Sequence, residues 1–85
     1  MRARRRRPPA ASTTLDGRRT GSVLRVVGID GGRERRQRLM GLGVRVGAEI
    51  TISHTRGRSV VVASDAGRVA VGPELARHIH VEEVA

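Results

Sequence analysis

The chain has 85 residues, a formal net charge of +9, no cysteine and no aromatic residue. That length fits one small domain, and the missing thiols exclude disulfide staples and thiolate metal sites. The missing rings count against two binding modes: proline-rich peptides gripped in an aromatic groove, and single-stranded nucleic acid held by base stacking.

Residues 1–14 read as an Arg/Pro-rich tail, Arg4-Arg5-Arg6-Arg7-Pro8-Pro9 followed by small and hydroxylated residues. Such a segment has almost nothing to bury and is expected to stay disordered and solvated. Five of the 17 arginines lie in the first seven residues, and without them the net charge of +9 falls to +4. Lysine is absent altogether. No apolar run follows the basic start, so it does not read as a secretory signal. No stretch approaches the ~20 apolar residues of a membrane span. The chain is therefore expected in the cytoplasm without membrane insertion, peripheral at most to the inner face of the cell membrane.

The folded unit is expected over residues 15–85. Residues 22–29 are rich in β-branched side chains and predict a strand, although Val26 and Val27 interrupt its alternation. Asp30-Gly31-Gly32 ends it with turn chemistry. Residues 33–42 hold helix formers and no β-branched residue, which predicts a short helix. Leu39 and Leu42 share its apolar face, with Met40 beside them. Gly43 is placed to end it in a left-handed conformation. Ile50 and Ile52 alternate with polar neighbours in a second strand over residues 49–55. A tip at Arg56-Gly57-Arg58 leads to a third strand over 59–64, and Asp65-Ala66-Gly67 turns into a fourth over 68–71. Pro73 opens a single helical turn, and residues 78–81 form the last strand with Ile79 and Val81 inward. This order predicts a mainly β fold of about five strands, with one short helix after the first strand and a helical turn before the last. Short strands with tight turns suit a barrel that closes on itself and hides its edges.

The pattern Leu39-x-x-Leu42-Gly43-x-x-x-Gly47-x-x-Ile50-x-Ile52 resembles the helix-to-strand segment of ferrous iron transport protein A (FeoA) domains. Ser22-Val23-Leu24-Arg25-Val26-Val27 resembles the family's opening strand. Val69-Ala70-Val71, Glu74-Leu75-Ala76 and Ile79-His80-Val81 resemble its closing segment. The sequence departs from the family pattern at Val46, where proline is common, at Gly57-Arg58, where a Gly-Pro pair is common, and at Gly72, where an apolar residue is common. The resemblance implies an SH3-like small barrel. It also implies a non-enzymatic accessory of ferrous iron transport, docking on the cytoplasmic GTP-binding part of a FeoB-type membrane permease. A similar barrel forms the C-terminal domain of metal-dependent repressors, so a stand-alone relative of that domain is one alternative. A basic nucleic-acid-binding or regulatory module, using the arginine tail, is the other.

No catalytic residue is assigned. Ser53-His54 with Asp65 has the residue types of a nucleophilic triad but no supporting motif. Gly28-Ile29-Asp30-Gly31-Gly32 stands between a strand and a helix but lacks the Lys and Ser/Thr of a phosphate-binding loop, and is read as a turn. No metal site and no cofactor is assigned. His78 and His80 are the candidate metal ligands, two apart and so on one face of a strand, where His54 or Glu82 would add a third. They are read first as the polar face of an edge strand, since a metal site needs three or four convergent ligands. Partner binding is expected on the helix and its end, through Arg35, Arg36, Arg38, Met40, Leu42 and Gly43. Nucleic acid is not the expected partner, and no oligomeric state follows from the residues.

Overall fold

A computed structural model describes residues 13–84. The arginine-rich segment expected to be disordered lies outside the described residues, apart from its last two.

Six strands and two helices follow one another: β1 (Thr13–Thr14), β2 (Val23–Ile29), α1 (Gly32–Gly41), β3 (Glu49–Arg56), β4 (Ser59–Ser64), β5 (Gly67–Val71), α2 (Pro73–Ala76) and β6 (Ile79–Glu83). All pairings are antiparallel, in the order β1-β6-β2-β3-β4-β5. The architecture is the mainly β, SH3-like small barrel expected, with one strand more than the five read from the sequence. The addition is β1, in which Thr13 and Thr14 pair with Val81 and His80. The barrel is also open where closure was expected. β1 and β5 end the strand order and do not pair with each other. Their exposure is limited by length, since β1 has two residues and β5 five.

The interior follows from the period of two in the strands. Leu24 and Val26, Ile50 and Ile52, Val60 and Val62, and Ile79 and Val81 all point inward and are buried. Leu15, Ile29, Leu39, Val44, Val71 and Ala76 complete the core, and no polar side chain is buried among the described residues. Hydrophobic contact alone therefore holds the centre, at roughly 1.5–3 kcal/mol for each large aliphatic side chain taken from water.

Two bulges reset the alternation. Val26 pairs with Val81, but the next pairs are Gly28 with His80 and Ile29 with Ile79, so Val27 is the extra residue. The adjacent valines mark this bulge, which returns Ile29 to the core. In β3, Ile52 pairs with Val62 and His54 with Val61, which leaves Ser53 as the extra residue. Beyond it Thr55 stands opposite Val60, an inward-facing position at the end of the barrel.

Helix α1 lies between β2 and β3 and is held differently. Leu39 is its one buried residue. Its C-terminus closes in a Schellman pattern: the Gly43 N–H donates to the Met40 carbonyl, and the Val44 N–H to the Leu39 carbonyl. Leu39 and Val44 are both buried, supplying the apolar contact that accompanies this motif. Gly43 has φ +90°, and a Cβ there would lie 2.8 Å from the Ala66 Cβ and 2.9 Å from the Ser64 Oγ. Glycine is thus required twice, by the left-handed turn and by the close approach of the β4–β5 turn. Leu42 was expected to share the packed face with Leu39. Instead it caps the helix with φ −97° and ψ 3° and is 38% exposed. The motif places the buried contact at Val44, two residues further on.

Candidate functional site

The site starts from an imbalance in α1. Its ten residues include Arg33, Arg35, Arg36 and Arg38 against a single acid, Glu34. Three of the arginines lie in the N-terminal half, where the helix dipole disfavours positive charge. No side chain caps the N-terminus either, since Gly31 stands there with φ +105°. Arginine's helix propensity suits the element, but the placement of its charge does not stabilise it.

A helical step of about 100° per residue separates the candidate residues around Leu39. Arg35 and Arg38 fall on one side, Arg36 and Met40 on the other. Arg35 folds back over Gly31, where a Cβ would collide with its side chain. Arg35 and Arg38 line a recess of about 610 Å³ together with Glu34 and the Gly72–Leu75 segment around the start of α2. Arg36 and Met40 face solvent on the opposite flank. The arginines expected around Met40 are therefore divided by the helix.

Apolar exposure concentrates at the same place. Met40 is 54% exposed, Leu42 38% and Val46 54%. With Val84 they are the large apolar side chains exposed among the described residues. Three of these four stand within residues 40–46, interleaved with the buried Leu39 and Val44 anchors. Val46 was missed from the sequence, where it stood out only as a departure from the family pattern. Its signal was the alternation Val44-Arg45-Val46, from which either valine could have been the inward one.

The histidines are not drawn into a common site. His78 precedes β6, and its N–H donates to the Leu75 carbonyl to close α2. His80 Nε2 lies 2.8 Å from Asp30 Oδ2, tying the β2–α1 turn to β6. Glu82 stands opposite Arg25, which is in turn 3.6 Å from Glu49. His54 is exposed on β3, opposite Val61. Among the described residues no three His, Asp or Glu side chains come together as a metal site. The triad residue types are also spread out. Asp65 lies in the β4–β5 turn, four residues along the chain from Val61, roughly 13 Å at strand rise. No helix among the described residues is long and apolar enough to cross a membrane.

The family model for the FeoA domain matches residues 13–83. No curated protein matches the chain. Among solved structures, an iron uptake regulatory protein (FeoA) shares 27% identity over 86% of this chain and 97% of its own, with a TM-score of 0.78. A FeoA-like protein from Clostridium acetobutylicum shares 22% identity over 87% and 88% of the two chains, with a TM-score of 0.76. A manganese-dependent transcriptional repressor shares the fold at 20% identity and a TM-score of 0.80, over 91% of this chain but 44% of the repressor.

Proposed function

The chain belongs to the FeoA domain family, and from that premise we propose that it is a non-enzymatic accessory of ferrous iron transport. It docks on the cytoplasmic GTP-binding part of a FeoB-type membrane permease and acts by binding. The observation that carries this reading is the surface of α1. Met40, Leu42 and Val46 are exposed on and just beyond a helix held by one anchor, with Arg36 on Met40's flank and Arg35 and Arg38 on the other. Methionine adapts to irregular partner surfaces, and arginine pairs well with acidic groups across an interface. The core that supports this surface uses none of those side chains, so the surface is free to bind without loss of the fold.

Calorimetry with the purified GTP-binding domain of the ferrous iron permease from the same cell tests the proposal. Binding is expected for the full chain and for a form starting at Thr13. Met40→Ser and Arg38→Glu are expected to weaken it by at least about tenfold, the loss typical of a central interface residue. No binding by the folded full chain, or binding that disappears with the tail alone, would contradict the proposal.

A further inference from the structure

A second recess lies at the end of the barrel where the segment after β1, the β3–β4 tip and α2 meet. Its volume is about 820 Å³, and Arg18, Arg58 and Arg77 all line it. They come from three segments separated by 40 and 19 residues in the chain. Among the described residues the ion pairs are Arg25–Glu49 and His80–Asp30, so none of these three guanidinium groups is paired. The Arg18 Nε is also buried with no hydrogen-bond partner, the one such side-chain atom among the described residues. Buried donors are almost always satisfied, so this orphan marks Arg18 as a side chain short of an acceptor.

The recess also holds two acids, Asp16 and Glu74. The Asp16 carboxylate already accepts a hydrogen bond from the Thr14 hydroxyl. Three arginines against two acids leave one net positive charge. A single carboxylate neutralises that charge, whereas a phosphate dianion would bring excess negative charge against Asp16 and Glu74. The planar guanidinium fork also matches a carboxylate in two parallel hydrogen bonds. Ser59 and Thr55 add hydroxyl groups to the lining, and Thr55 stands opposite inward-facing Val60 because of the bulge at Ser53.

We infer that this recess is a carboxylate-binding site, in which Arg18, Arg58 and Arg77 hold the anion. The site shares Pro73 and Glu74 with the recess beside α1 but contains no α1 residue, and it does not depend on the transporter reading. Its carboxylate is either an Asp or Glu side chain of a polypeptide or a free small organic acid.

The test is an NMR titration of the full chain, uniformly labelled with nitrogen-15, following the arginine Nε–H resonances. The probes are butyrate, the capped peptide acetyl-Ser-Glu-Ser-amide and inorganic phosphate. Shifts concentrated on Arg18, Arg58 and Arg77 are expected with both carboxylate probes. Tighter binding of the peptide would place the carboxylate on a polypeptide, and equal or tighter binding of butyrate would make it a free acid. Arg58→Gln and Arg77→Gln, both at exposed positions, are each expected to weaken binding about tenfold, the loss of one charged hydrogen-bonding partner. Arg45→Gln and Arg68→Gln, away from the recess, should change it less than about twofold. These variants decide the matter even where Arg18→Gln perturbs folding. Shifts spread evenly over all arginines, equal losses in all four variants, or phosphate binding tighter than both carboxylates would overturn the inference.

Discussion

The β3–β4 hairpin and helix α1 are attached to the molecule in opposite ways. The hairpin places Ile50, Ile52, Val60 and Val62 in the core, two from each strand. Helix α1 places Leu39 there and leaves its remaining side chains at the surface or only partly buried. The hairpin therefore spends its four buried aliphatic residues on the fold, and its outer face mixes polar side chains with the half-buried Val61 and Ala63. The helix needs one anchor and a glycine-sealed end, so most of its surface is open to selection for binding. The difference teaches where to look for function in a barrel this small: on the element that the core needs least.

Ile52→Ala breaks the hairpin side of that comparison and has the largest expected effect. It should cost about 3–4 kcal/mol, the usual range for emptying a buried aliphatic position. A domain of this size has a margin of roughly 3–5 kcal/mol, so the variant should be left with about 2 kcal/mol at most and show a much lowered urea midpoint by far-ultraviolet circular dichroism at 25 °C. Leu39→Ala tests the helix side. A cost of about 2–3 kcal/mol is expected, but localised. Hydrogen exchange should rise across residues 32–43 while the β2–β4 amides stay protected. Equal loss of protection in sheet and helix would show that α1 is as integral as the hairpin.

Gly43→Ala sharpens the comparison at the helix end. The left-handed backbone and the contact with Ala66 and Ser64 should together cost about 1–2 kcal/mol in urea denaturation. His80→Ala removes the tie between β6 and the β2–α1 turn. Asp30 is 61% exposed, so less than about 1 kcal/mol is expected.

The sequence makes the strands legible because they are the part governed by a strict period and by turn residues. Asp30-Gly31-Gly32, Gly57 and Asp65-Ala66-Gly67 fall at the breaks between elements. What stayed hidden has no periodic signature. β1 is two threonines that join the sheet through pairing with Val81 and His80, which no side-chain pattern announces. The Ser53 bulge lies among polar residues and shifts a register that only the partner strand reveals. Leu42 was misplaced because helical spacing was extended through a residue that the C-terminal motif takes out of the helix. The α1 surface was partly visible, since Met40 and the arginines stand close in the chain. The division of Arg35 and Arg38 from Arg36 and Met40 follows only once Leu39 is known to be the single anchor. The recess of Arg18, Arg58 and Arg77 was not legible, because folding alone brings those segments together.

The central claim is that α1 is the docking element. Hydrogen exchange of the full chain, measured with and without the purified GTP-binding domain of the permease, tests it most directly. The account predicts slowed exchange over residues 33–47, with the inner strands unchanged. Protection confined to residues 1–12, or to the outer face of β3 and β4 with α1 unaffected, would contradict it.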